Sequence, residues 1–320
     1  MKESVSVLPF SGKKHNHSQK GPKIWGVCSG KGGVGKSFIT SSLGVALTKQ
    51  GLKVTLVDLD LSGANLHSWF GISPFNSGVA EYFNGNKPKL NELETASGVH
   101  NLKVVVGFNQ SWSKPELSDQ SLHDFVNDLK KLNSDVVIVD MGAGSSKENL
   151  ALLELLDEKI LVTSPEPQSI ESHYRLLESY MMYSLKQKLS EDKFNQLIYD
   201  LKAFRQNNLG KPFSFRNFLA ENEIFQSWED LKPKKPMRLI INQVRSFDDE
   251  NLGPSIKSVV NKYFDSELDY LGYFQFDNAV WQCARKKSAV LIEQPFNPLV
   301  GQFLAMTKQL VDPVLLKAVV

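Results

Sequence analysis

The sequence predicts an α/β protein built on a mostly parallel, twisted sheet with helices on both faces. Three observations carry that reading. Short runs are apolar at every position, as at Val136-Val137-Ile138-Val139, which marks strands buried on both faces. Helical patterns separate most of these runs. The polar, glycine-rich segments follow the strands, and open parallel sheets place ligands at the carboxyl ends of their strands.

Taken in order, residues 1–22 are polar, basic and without periodicity, and read as a disordered tail. His15 and His17 lie in it without a third metal-ligand residue. The first strand is expected over 24–29 and the first helix over 36–50, with Gly51 as its stop. A second strand spans 53–59. Further strands are expected over 102–106, 136–139, 160–163, 239–241 and 268–274. Helices are expected over 117–132, 147–156, 168–188, 254–264 and 296–311. Residues 189–236 break the rhythm. They are polar and helical, interrupted by Asn207-Asn208-Leu209-Gly210 and stopped by Lys232-Pro233-Lys234-Lys235-Pro236. They read as a helical insertion within one domain over 23–311, which a short apolar tail (312–320) follows.

Composition narrows the function classes. The 320 residues are 41% hydrophobic and 22% charged, with a net charge of +2. No overall field draws such a chain to nucleic acid or anionic lipid, so any attraction must come from a local patch. The two cysteines, Cys28 and Cys283, make no disulfide framework and fit a reducing compartment. No apolar run reaches the roughly 18–20 residues of a membrane span. Lys13-Lys14-His15-Asn16-His17 interrupts the only mildly apolar stretch near the start, against a secretory signal. The expectation is a cytoplasmic protein.

Gly30-Lys31-Gly32-Gly33-Val34-Gly35-Lys36-Ser37 has the spacing of a phosphate-binding loop, between a buried strand and a helix. Glycines let backbone N–H groups turn inward around phosphates, and the helix that starts near Lys36 adds its positive end. Lys36 is placed to reach the β and γ phosphates of ATP, and the Ser37 hydroxyl to ligate Mg²⁺. Two acidic strand ends accompany the loop: Val57-Asp58-Leu59-Asp60 and Val139-Asp140-Met141-Gly142-Ala143-Gly144. Phosphoryl transfer needs positioned charge, Mg²⁺ and an oriented water more than covalent chemistry, and carboxylates there supply it.

Lys31 makes the loop Lys-Gly-Gly-Val-Gly-Lys-Ser, which resembles the deviant loop of the MinD/ParA ATPases. The resemblance implies that Lys31 reaches the nucleotide of a partner subunit, so that ATP joins two chains; an ordinary exposed loop lysine is the alternative. It implies that Asp60 positions the attacking water, that Asp58 supports the metal or caps the strand end, and that Asp140 holds Mg²⁺. Ser164-Pro165-Glu166-Pro167 resembles the segment whose glutamate meets that lysine, which makes Glu166–Lys31 a candidate pair. Asn242, at the end of Ile240-Ile241-Asn242, matches the asparagine that reads adenine, and residues 275–280 match the loop on the base's other side. MinD proteins usually carry proline where Gly142 stands.

The match runs in order from about 23 to 311, and the Asp-x-Gly-Ala-Gly and Pro-Glu-Pro versions resemble the FlhG-type branch, which sets flagellar number and position. The Asp-Gln-Ala motif of many such proteins is absent from 1–22, as is their long C-terminal amphipathic helix; residues 314–320 are a short apolar run. The resemblance implies a dimerising, partner-stimulated ATPase acting as a spatial regulator, with a peripheral contact at the inner face of the plasma membrane as a further expectation. Other readings stay open. One is a DNA-partitioning ATPase using Arg285-Lys286-Lys287 and Lys232, Lys234 and Lys235. Another is a small-molecule kinase or ligase. A third is a metallocluster carrier pairing one cysteine per subunit across a dimer axis.

Overall fold

The apolar strand residues divide by parity between two cores. In β1 (Lys23–Cys28), Ile24 and Cys28 enter one core and Trp25 and Val27 the other. β2 (Val54–Leu59) and β5 (Val136–Met141) repeat the alternation, with Val57, Val137 and Val139 opposite Leu56, Val136 and Ile138. Successive side chains of a strand point to opposite faces, so a strand apolar throughout needs cover on both sides. The computed structural model of the chain describes residues 21–61, 63–73, 78–84, 88–107, 115, 117–209, 214–221, 232 and 236–311. The expected tails, apart from residues 21–22, and Lys234 and Lys235 lie outside the described residues.

The remaining strands are β3 (Thr95–Ala96), β4 (Leu102–Val105), β6 (Glu158–Thr163), β7 (Met237–Val244) and β8 (Leu268–Gln275). The eight strands stand in the order β3-β4-β2-β5-β1-β6-β7-β8. All pair in parallel except β3, which runs antiparallel to β4 at one edge. The parallel α/β sheet read from the sequence is therefore present, with β1 near its centre.

Helix α1 (Lys36–Thr48) is buried at every position from Lys36 to Leu47 except Ser37, and so behaves as a core element rather than a surface one. Phe38 anchors it among Phe274, Phe303 and Trp69, with ring centroids 5.6–6.5 Å apart. α2 (Val79–Phe83), α3 (Asp119–Leu129), α4 (Lys147–Leu155) and α5 (Pro167–Lys188) follow in order. Within the segment read as an insertion, α6 (Glu191–Asn207) and α7 (Phe215–Ala220) place Leu197, Leu201, Phe215 and Phe218 in the same core as α4 and α5.

The C-terminal third holds α8 (Phe247–Glu250), α9 (Leu252–Val259), α10 (Asn278–Lys286), α11 (Val290–Glu293) and α12 (Pro298–Leu310). The helix expected over 254–264 divides: α9 gives way to a π-helical turn at Val260–Phe264, ended by Asp265 at φ 50°. Among the described residues, no helix is long and apolar enough to cross a membrane.

Candidate functional site

The glycine-rich loop leaves the carboxyl end of β1, between β5 and β6. Gly33 and Gly35 adopt φ of 85° and 94°, a left-handed backbone that glycine enters without steric cost. A Cβ on Gly30 would stand 2.1 Å from the Ser172 carbonyl oxygen of α5, whereas one on Gly32 would meet nothing within 4 Å. Gly30 thus lets a helix backbone close on the loop, and Gly32 borders open space. α1 begins directly after Gly35, so its first unpaired N–H groups face the loop.

The two lysines of the loop have different surroundings. Lys36 is buried, with 8% of its surface exposed. Lys31 is half-buried, and its Nζ donates to Gln168 Oε1 of α5 at 3.0 Å. Glu166, the residue expected opposite Lys31, instead accepts from the Ser164 hydroxyl.

Sheet register brings the acidic strand ends together: Asp58 stands directly across from Asp140. Both are buried. Asp58 Oδ1 accepts from the Asp60 N–H at 3.2 Å and Oδ2 from the Leu66 N–H at 3.0 Å. Its two oxygens therefore fold the segment after β2 back on the strand end. Burial, and next the charge of Asp140, hold the Asp58 carboxyl well above the usual carboxylate range. Asp140 Oδ1 accepts from the Thr40 hydroxyl at 3.2 Å, while Oδ2 is buried without a hydrogen-bond partner. Burial pushes Asp140 up to about 6, against the opposing pull of the neighbouring Ser37 hydroxyl and Lys36 ammonium.

Asp60 lies just past β2, half-buried, its Oδ1 accepting from the Gly63 N–H at 3.0 Å. A Cβ on Gly142 would stand 3.8 Å from the same oxygen, so the segments after β2 and β5 face each other. The Gly144 N–H donates to the Ser29 carbonyl at 2.8 Å. Asn149, in the first turn of α4, donates from Nδ2 to the carbonyls of Gly142 (3.0 Å) and Gly144 (3.1 Å). A cavity of about 370 Å³ opens between the two segments, walled by Asp60, Gly63, Gly142, Ser146 and Asn149. A larger one, about 430 Å³, lies at the amino ends of β2 and β4 beside Lys53 and Lys103, the opposite end of the strands from the loop.

At the end of β7, Asn242 is buried and its Nδ2 donates to the Val34 carbonyl at 2.8 Å. The sequence marks Asn242 for the base; in this structure its amide bonds to the phosphate loop. In the 275–280 segment, Asp277 caps α10 by accepting from the Ala279 N–H at 2.7 Å. The guanidinium of Arg245 lies over the Phe276 ring at 3.9 Å.

Several contributors carried no signal that the sequence reading used. Gln168 follows Pro167 and was hidden behind Glu166. Thr40 sits one helical turn past Lys36, and Asn149 lies in the first turn of α4, three residues past its Ser146 cap; both spacings could have been read as inward-facing. The cysteines, by contrast, are not at the site's surface: both are buried.

These residues fit a Mg-nucleotide. The left-handed glycines, the open space at Gly32 and the start of α1 form a phosphate cradle, with Lys36 inside it. Ser37 and Asp140, with its orphaned oxygen, would hold Mg²⁺, whose charge would neutralise phosphate oxygens. Fold and site together define a protein of the P-loop NTPase class. The ParA family model, described as NUBPL iron-transfer P-loop NTPase, matches residues 22–189, just over half of the chain. The chain belongs to this family, as the resemblance of its loop implied.

Over 152 residues it is 32% identical to the cytosolic Fe-S cluster assembly factor NUBP2 homolog of Dictyostelium discoideum, covering 45% of this chain and 56% of that one. Over 163 residues it is 32% identical to the flagellum site-determining protein YlxH of Helicobacter pylori, covering 48% and 51%. The chain thus spans little more than half the length of these curated relatives. The septum site-determining protein MinD of Pyrococcus horikoshii, solved with Mg-ADP, superposes with a TM-score of 0.63 at 19% identity, over 92% of this chain and 97% of that one. At that identity the likeness shows the fold.

Proposed function

We propose that the chain is a spatial regulator: an ATPase that dimerises when it holds Mg-ATP and hydrolyses slowly until a protein partner accelerates it. The observation that carries this reading is the contrast between its loop lysines. Lys36 is buried where phosphates would lie, while Lys31 is held at the surface by Gln168. A second lysine displayed outward from a phosphate loop serves a nucleotide on another chain better than its own. In this account Lys36 contacts the phosphates, Asp60 orients the attacking water, Ser37 and Asp140 hold Mg²⁺, and Asn242 reads the base. Asp58, with both oxygens taken by backbone N–H groups, supports the metal site by fixing the segment that carries Asp60. Glu166 completes the surface on which Lys31 lies.

The names of YlxH and MinD, site-determining proteins both, support a positioning role of the FlhG type, in the cytoplasm or at its membrane face. The NUBP2 homolog's name raises the alternative of an iron–sulfur cargo, which would need accessible thiolates. Cys28 is buried, its Sγ directed at the Ile160 carbonyl, and burial pushes its thiol up to about 12. Burial raises Cys283 as well. Among the described residues no three His, Cys, Asp or Glu side chains converge on a metal position. Among the described residues the cargo reading therefore finds no donor set. A DNA-partitioning role is not favoured either, since Arg285 lies over Trp281 and Lys286 pairs with Glu293.

The test is Lys31→Ala. Its Kd for Mg-ATP, by calorimetry, is expected within about threefold of the parent (under 1 kcal/mol), while ATP-dependent dimerisation disappears. A variant that still dimerises with ATP would remove the intersubunit role of Lys31.

A further inference from the structure

The end of β7 departs from regular strand geometry where it passes the phosphate loop. Between the pairs Ile241–Tyr273 and Val244–Gln275, β7 advances three residues and β8 two. The extra residue makes a β-bulge, a device that re-aims side chains beside functional sites. Within it Gln243 adopts φ 63°, a left-handed conformation that costs a non-glycine residue free energy and persists only when its surroundings enforce it. What the bulge achieves is visible in its bonds. Asn242 Nδ2 donates to the Val34 carbonyl at 2.8 Å and Gln243 Nε2 to the Gly33 carbonyl at 3.0 Å. In a regular strand these consecutive side chains would point to opposite faces; here both reach the same loop.

Their targets are consecutive carbonyls of the phosphate cradle. Holding those two carbonyls outward fixes the peptide planes on either side, and so the direction of the N–H groups that a phosphate would accept from. The loop is shaped to admit the clamp, since a Cβ on Gly35 would stand 2.2 Å from Asn242 Nδ2. Gly35 therefore serves both its own left-handed turn and the approach of β7.

We infer that Gln243 is a positioning residue of the nucleotide site, holding the phosphate loop in its binding conformation through the Gly33 carbonyl rather than touching the nucleotide. This rests on the loop's binding phosphate and not on dimerisation. Gln243 is half-buried at a strand end, so its replacement leaves the core intact.

The test compares Gln243→Ala and Gln243→Gly with the parent, each as the full chain. Both lose the amide, and only the glycine variant relieves the left-handed backbone. Calorimetry with Mg-ATP and Mg-ITP is expected to show both nucleotides weakened by the same factor, about 3- to 10-fold, in both variants. Hydrogen exchange of the nucleotide-free chain is expected to quicken by a similar factor at residues 32–37 and to stay unchanged in β5. Unchanged affinities and exchange would overturn the inference. So would loss of ATP affinity alone, with the ATP-to-ITP ratio falling toward one, because Gln243 would then be contacting the base.

Discussion

Thr40 Oγ1 donates to Asp140 Oδ1 at 3.2 Å and leaves Oδ2 of the same carboxylate buried with no hydrogen bond. One oxygen is used to orient the side chain and the other is left without a partner. A buried carboxylate oxygen without a partner is costly, and in the proposed site a divalent ion beside Ser37 would be that partner.

Asp140→Asn keeps the acceptor for Thr40 and removes the charge. The parent is expected to bind ATP at least tenfold (about 1.4 kcal/mol) more tightly with Mg²⁺ than with EDTA, and Asp140→Asn to lose most of that gain. Calorimetry in the two buffers measures it; an undiminished Mg²⁺ effect would assign the ion elsewhere.

Asp58 is tied to backbone rather than open to solvent. Asp58→Ala strands the N–H groups of Asp60 and Leu66 beside a buried strand end and is expected to cost about 2–4 kcal/mol. Asp58→Asn, with one acceptor left, should cost less. Urea unfolding of both variants gives the comparison, and equal midpoints for parent and Asp58→Ala would show that the two bonds contribute nothing.

His173 of α5 is fully buried with neither ring nitrogen bonded, and burial lowers its pKa to about 4. The unfolded chain binds the proton near pH 6.5 and the folded chain only near 4. Stability is therefore intact above about 6.5 and declines as pH falls toward 4, by up to about 3 kcal/mol from this group. His173→Leu should flatten the acid limb between pH 6.5 and 4 in denaturation curves. A limb as steep as the parent's would place the proton uptake on other groups.

Gly30 and Gly32 separate packing from binding. Gly30→Ala drives a methyl into the Ser172 backbone and should destabilise by about 1–3 kcal/mol. Gly32→Ala meets no protein atom and should leave the melting temperature within about 2 °C while weakening ATP binding by crowding the phosphates. Melting curves and ATP titrations of the pair check it.

The core of the fold was legible because β1, β2 and β5 carry apolar residues on both faces, which leaves no other way to bury them. The phosphate loop and the two acidic strand ends were legible for a related reason: their spacing is set within single strand–turn–helix units. What escaped was set by distant partners. Gln243 reaches a carbonyl 210 residues earlier in the chain, and its left-handed φ follows from a bulge against β8 that no local pattern announces. Short elements such as β3 and α11 offer too few residues for periodicity to register. Lys31 was singled out by its neighbours in sequence, but its resting contact with Gln168 depends on where α5 begins.

In the proposed cycle nucleotide state controls dimerisation, with Asp60 needed for hydrolysis and not for assembly. Light scattering on Asp60→Ala, first with Mg-ADP and then with Mg-ATP, tests it most directly. One chain's mass is expected with ADP and a stable doubling with ATP. A mass that stays the same in both nucleotides would contradict it.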